Sequence, residues 1–174
     1  MLKKLTQNNT KEITLYNNIL LLSRNKLFYT KFDLTDTFQN RIHLIFIHIS
    51  FLFIKVDHNE KRKIYKIFYQ KLFDFLFKQI ELNMREIGYG DILVNKNMKF
   101  LIKSFYNVLL YCEKYKEKTL ESKNTFLKKY LKSNIEQKLA NYAPLVKYFN
   151  KFQAFCFDLS SDSVLKGELN FNYN

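Results

Sequence analysis

The chain has 174 residues, of which 47% are hydrophobic, including 18 Phe and 12 Tyr, so it can bury a sizeable core and is not a disordered tail. One proline and three glycines leave few turn formers, which excludes a hairpin-rich β architecture and favours long helices. The formal net charge of +13 points to an anionic partner (nucleic acid, ribosome or membrane surface), but the basic residues are almost all Lys, with Arg only at Arg24, Arg41, Arg62 and Arg85, and the Asn-, Ile-, Phe- and Tyr-rich composition fits drift under an AT-rich genome equally well.

Residues 1–10 form a polar lead predicted to be flexible, without an apolar signal core or the arginines of a mitochondrial presequence. This points to a cytoplasmic chain or to one whose leader has been removed. From Lys11 to Tyr29, Ile13, Tyr16, Ile19, Leu20, Leu22 and Leu27 predict a first helix, with Thr10 a candidate cap. A second helix is expected from Asp36 to Val56. Its centre, Leu44 to Ile54, is apolar on every face but too short to span a membrane and interrupted by His48, so a buried central helix is expected. Asp57-His58-Asn59 makes a break, and a third helix should run from Glu60 to Ile87 with Ile64, Phe68, Leu72, Phe75, Leu76 and Ile80 in one stripe.

Two of the three glycines, Gly88 and Gly90, then stop the helical pattern, with Asp91 a good cap for a restart. A fourth helix is expected over Val94–Lys118, with Met98, Leu101, Ile102, Phe105, Leu109 and Cys112 inward. A fifth covers Leu120–Leu131. A sixth covers Ile135–Phe157, where Pro144 predicts a kink or a restart near Ala143. A turn at Ser160–Asp162 leads to a short helix or extended tail. No period-2 run, repeat or linker is present, so the expectation is a single all-α domain over residues 11–174, a bundle of about six helices around a central apolar one.

The chemistry-bearing residues argue for no enzyme and no metal or cofactor site. His43 and His48 are five apart and point to different sides of a helix, and His48 suits a core histidine bonded to a neighbour. Cys112 and Cys156 lack ligand or redox spacing and are expected as free buried thiols. Asp36 is expected to cap the second helix, with Arg41 within reach. Lys114, Lys116, Lys118, Lys123, Lys128, Lys129 and Lys132 concentrate in one region, either an ordinary solvated face or a contact for an anionic partner such as the ribosome.

Several segments together carry a resemblance. Asp36-Thr37-Phe38-Gln39-Asn40-Arg41 leads into the apolar helix with Ile47-His48. Then come Met84-Arg85-Glu86-Ile87-Gly88-Tyr89-Gly90-Asp91, Val94-Asn95-Lys96-Asn97-Met98-Lys99 and Ser104-Phe105-Tyr106, and near the end Gly167 and Phe171. This pattern resembles the ubiquinol–cytochrome c chaperone family over roughly residues 15–170. The chain departs from the family pattern at Ile42-His43, where Phe-Glu is usual, at Tyr89, where Val is usual, and at Asn107-Val108, where Gly-Arg is usual.

The resemblance implies an assembly factor for ubiquinol–cytochrome c reductase, respiratory complex III. Such a factor would bind newly made cytochrome b near the ribosomal exit tunnel, peripherally at the inner membrane, with a small partner assembly factor. The location would be the bacterial cytoplasm, or the mitochondrial matrix for a processed eukaryotic chain. The motif residues Arg85, Glu86, Gly88, Tyr89, Gly90, Asp91, Asp36, Arg41, His48, Lys96, Met98, Lys99 and Tyr106 become candidates for partner binding. Tyr89, with Met84, Ile92 and Leu93, is the expected client surface, oriented by Arg85, Glu86 and Asp91. The rival expectation is a basic helical protein that binds RNA or the ribosome without chaperone activity.

Overall fold

The computed structural model describes residues 10–56, 62–135 and 141–173. The polar lead before Thr10 and the Asp57–Asn59 break lie outside the described residues. Those residues hold eight α-helices and no extended sheet: α1 Lys11–Ser23, α2 Leu27–Thr30, α3 Phe38–Val56, α4 Arg62–Glu86, α5 Asp91–Glu113, α6 Leu120–Tyr130, α7 Ala143–Asp158 and α8 Ser161–Lys166. The all-α expectation holds. The helices exceed about six because two short ones, α2 and α8, stand apart from their neighbours.

Helix α3 is the hub. It packs against α1, α4, α5, α7 and α8, which is why no polar stripe runs along its centre. Leu44, Ile45, Phe46, Ile47 and Ile49 are all buried. Its polar residues are bonded internally. His48 Nδ1 lies 2.6 Å from the Leu44 carbonyl and Nε2 lies 2.8 Å from the Tyr148 hydroxyl on α7. A carbonyl only accepts, so Nδ1 carries the proton and Tyr148 donates to Nε2. His43 Nε2 sits 3.1 Å from Ser104 Oγ on α5. Burial pushes both imidazoles down to about 4, so each is neutral at pH 7.

The expected first helix is two. Asn25 breaks it, because its side-chain oxygen accepts from the Leu27 amide at 2.9 Å and starts α2 afresh. Thr10 stands at the α1 N-cap position without a side-chain cap bond. Asp36 does not cap α3; the helix begins two residues later, and Thr37 Oγ1 accepts from the Asn40 amide at 3.2 Å. Asp36 is taken instead by a two-point bond to Arg41, Nε to Oδ1 at 2.6 Å and Nη2 to Oδ2 at 2.8 Å, which holds its carboxyl below the usual carboxylate range.

On α4 the inward stripe is shifted by one residue at its start. Tyr65 is buried while Ile64 is 57% exposed. Both lie within a turn of Phe68, and only one of them can face the bundle. Pro144 gives a restart rather than a kink: it occupies the first turn of α7, where no donor is required. Asn40 then ties the loop before α3 to the strand of chain after α6. Its Nδ2 donates to the Thr35 and Lys132 carbonyls, both at 2.7 Å, and its Oδ1 accepts from the Lys132 amide at 2.8 Å. At the far end, Phe171 packs on Phe152 and Phe155, and Asn18 holds the Gly167 carbonyl at 2.6 Å.

Candidate functional site

Helix α4 ends where its sequence says it must. Gly88 takes φ +94°, its amide bonds the Arg85 carbonyl, and the Tyr89 amide bonds the Met84 carbonyl, both at 3.0 Å. This paired closure needs the left-handed conformation that glycine adopts without strain. Gly90, in an ordinary extended conformation, is the residue before α5, and Asp91 is the first residue of that helix rather than its cap. The Asp91 carboxylate instead accepts from Arg85 Nη1, while Arg85 Nη2 reaches Glu81 at 2.9 Å. One guanidinium thus clamps the end of α4 to the start of α5 across the turn. Both partners are exposed, so this pairing fixes direction more than it adds stability.

The clamp presents apolar side chains to solvent. Ile92 is 88% exposed and Phe100, one α5 face further on, 58% exposed, with Ile87, Tyr89 and Leu93 also exposed. Beside them opens a cleft of about 350 Å³ lined by Thr37, Phe38 and Ile42 of the α3 start, Met84 and Tyr89 of the turn, and Phe100 and Leu101 of α5. Segments nearly 50 residues apart in sequence, the Asp36–Arg41 motif and the Met84–Asp91 motif, therefore share one cleft.

The other candidate residues are distributed as follows. Lys96 and Lys99 are exposed on α5, and Met98 is half-buried against the core. Tyr106 is exposed, its ring 6.0 Å from Phe73. His48 is wholly buried and away from the cleft, and Glu86 is exposed at the turn. Phe100 is a lining residue that the sequence reading passed over. Its signal was present: an aromatic that falls out of step with the inward Leu101, Phe105 and Val108.

The Lys cluster is not one solvated face. Lys114, Lys116, Lys129 and Lys132 are exposed, and Lys118 and Lys128 partly so. Lys123 points inward: it is 9% exposed, its Nζ bonds Asn150 Oδ1 at 2.9 Å and lies 4.4 Å from the centre of the Tyr115 ring. Burial lowers its pKa. It leaves the set of candidates for anionic contact. Of the rest, Lys129 lines a groove of about 720 Å³ between α5 and α6. Among the described residues, no three His, Cys, Asp or Glu are grouped to hold a metal, and no helix is long and apolar enough to cross a membrane.

A sequence model of the ubiquinol-cytochrome C chaperone family matches residues 30–171, and this span contains both the cleft and the groove. The chain belongs to the ubiquinol-cytochrome C chaperone family. A crystal structure of the Cbp3 homolog from Brucella abortus has the same fold, with TM-score 0.79 over 94% of this chain and 89% of that one at 22% sequence identity. No curated protein matches the sequence. Family membership gives the chain a client protein as its expected partner. It also makes the shared cleft, where two motif segments meet, the first place to look for it.

Proposed function

We propose that this chaperone binds newly made cytochrome b and holds it for assembly into ubiquinol–cytochrome c reductase. It would act peripherally at the inner face of a bacterial membrane, or in the matrix if the chain is a processed mitochondrial one. The observation that carries the proposal is the convergence of the two motif segments on one cleft with an apolar lip of Tyr89, Ile92, Leu93 and Phe100. An unassembled membrane protein exposes helices of about 20 apolar residues. A water-exposed apolar lip on a rigid turn suits transient cover of such a helix, since contiguous exposed apolar surface marks an interaction site. The Arg85 clamp keeps the lip preformed, so little ordering cost falls on binding.

The rival reading, RNA binding by a plain basic face, is disfavoured because one lysine of the cluster, Lys123, is buried and bonded to Asn150. The test is gene deletion followed by reduced-minus-oxidised spectra of the membranes, with complementation by wild type and by Tyr89→Ala plus Ile92→Ser. The proposal expects loss of the reductase's cytochrome b signal with the terminal oxidases intact. It expects rescue by wild type, and poor rescue by a double variant that accumulates normally. Normal cytochrome b in the deletion strain would refute it, and full rescue by the double variant would move the client off the lip.

A further inference from the structure

Helix α5 shows solvent a stripe that neither the core nor the cleft explains. Ile92 and Leu110 are 18 residues apart, about five whole turns at roughly 100° per residue, so they stand on one line of the helix, about 27 Å apart along its axis. They are 88% and 62% exposed. Lys96, Lys99, Lys103 and Tyr106 fall within about 40° of that line, and all four are exposed. Phe100, about 80° round, joins the stripe to the cleft. No acid occurs between Asp91 and Glu113, and Asp91 is held by Arg85. On α4, packed alongside, Lys63, Lys66, Lys71 and Lys78 are exposed, while Asp74 is bonded by Gln70 and Glu81 by Arg85. The stripe is thus apolar at both ends, cationic between them, and without a counter-charge of its own.

An anionic lipid bilayer accepts both kinds of side chain at one surface. Aliphatic and tyrosine side chains enter the boundary between headgroups and acyl chains, while lysine stems lie along it with their ammonium groups at the phosphates. The leaflet on the cytoplasmic side is negative and attracts such lysines. Other occupants fit less well. Single-stranded nucleic acid stacks on open aromatic faces, but both ends of this stripe are aliphatic. A second copy of the chain brings the same lysines and is repelled. Loops of a membrane protein on the side where it is made carry an excess of Lys and Arg, so the loops of the client are repelled too. We propose that the solvent face of α5 is the surface by which this chain lies on an anionic lipid bilayer. The inference rests on the reading of the chain as a peripheral membrane chaperone and adds the face that it uses. Because Phe100 borders both stripe and cleft, this docking holds the cleft at the bilayer surface, where an unassembled apolar helix is met.

The test is flotation of the purified full chain, without client, with vesicles of phosphatidylcholine and phosphatidylglycerol in equal parts and with vesicles of phosphatidylcholine alone. Binding to the mixed vesicles only, weakening as salt rises, is expected. A lysine near such a surface is worth about fivefold in affinity, so Lys96→Glu, Lys99→Glu and Lys103→Glu together should weaken binding by about a hundredfold or more. Tyr106→Ser with Leu110→Ser, which leaves the charge unchanged, should weaken it by about tenfold. Lys11→Glu, Lys147→Glu and Lys166→Glu together make the same charge change at exposed positions of α1, α7 and α8 and should lose far less. Circular dichroism melts establish that each variant is folded. Failure of the wild type to float with the mixed vesicles, equal binding to both kinds, or equal losses in the two lysine triples would overturn the proposal. So would absent vesicle binding with capture of an oligouridylate by the α5 lysines, which would assign the stripe to RNA. With no client present, a negative result here leaves the cytochrome b reading standing, and normal cytochrome b in the deletion strain leaves the vesicle result standing.

Discussion

Mild acid should destabilise this protein, and two buried imidazoles give the size of the effect. His43 and His48 have ordinary values near 6.5 in the unfolded chain and about 4 in the fold. Between those values the unfolded state binds more protons, so stability is complete above about pH 6.5 and falls as the pH drops toward 4. For each histidine the loss from pH 7 to pH 5 is about 2 kcal/mol, rising to about 3 kcal/mol at pH 4. Two such groups remove about 4 kcal/mol at pH 5, a large part of the 5–15 kcal/mol typical of a domain. The Asp36–Arg41 pair acts in a lower window, because the carboxyl is held below its usual range and its contribution disappears only in stronger acid. The assay is urea unfolding at half-unit steps from pH 7.5 to 4.5, for wild type and for His48→Leu with Tyr148→Phe. Replacing both members of the bonded pair avoids orphaning a buried hydroxyl. The double variant should lose about half of the pH dependence. A wild-type slope in the double variant, or a flat profile in the wild type, would refute the assignment of His48 as a neutral buried donor and acceptor.

Other outcomes follow from single positions. Gly88→Ala should cost about 1–2 kcal/mol from the left-handed backbone alone, since an added Cβ meets nothing within 4 Å, while Gly90→Ala, in ordinary extended geometry with equal space, should stay within about 0.5 kcal/mol; thermal melts of the pair test this. Gly167→Ala should exceed Gly88→Ala, at about 3 kcal/mol, because its Cβ would stand 2.9 Å from both the Leu15 amide nitrogen and the Thr14 side chain; equal melting temperatures for the two variants would contradict this. Asn40→Ala should cost about 2 kcal/mol by orphaning the Lys132 amide, the Thr35 and Lys132 carbonyls keeping the Thr37 and Thr35 amides at 2.9 and 3.0 Å, whereas Asp36→Asn at the exposed pair should cost under about 1 kcal/mol, as chemical denaturation can decide.

The long helices α3, α4 and α5 were legible because each carries several turns of unbroken period, and the Gly88 stop because few residues tolerate its backbone. Side-chain decisions were less visible. Whether Asp36 or Thr37 caps α3 depends on Arg41, which draws the carboxylate away. Whether Ile64 or Tyr65 faces inward depends on what α4 meets at its first turn. Lys123 looked like its neighbours in the cluster until α7 supplied Asn150 and the 3-10 turn at Tyr115–Glu117 supplied an aromatic face. The cleft was half legible: its motif segments were identifiable in the sequence, but their meeting is a product of packing around α3. The α5–α6 groove was not legible, because it belongs to the pairing of two helices rather than to either one.

The hub helix also sets a schedule for synthesis. His48 and its partner Tyr148 are 100 residues apart, so when α3 leaves the ribosome the helix that will cover that side does not yet exist. At about 5–20 residues per second, α7 follows only after roughly 5–20 s. A helix turn forms in under about a microsecond, so for that whole interval the side of α3 that α7 will cover waits bare. A protein placed here as a guardian of nascent apolar helices is, during its own translation, in need of one.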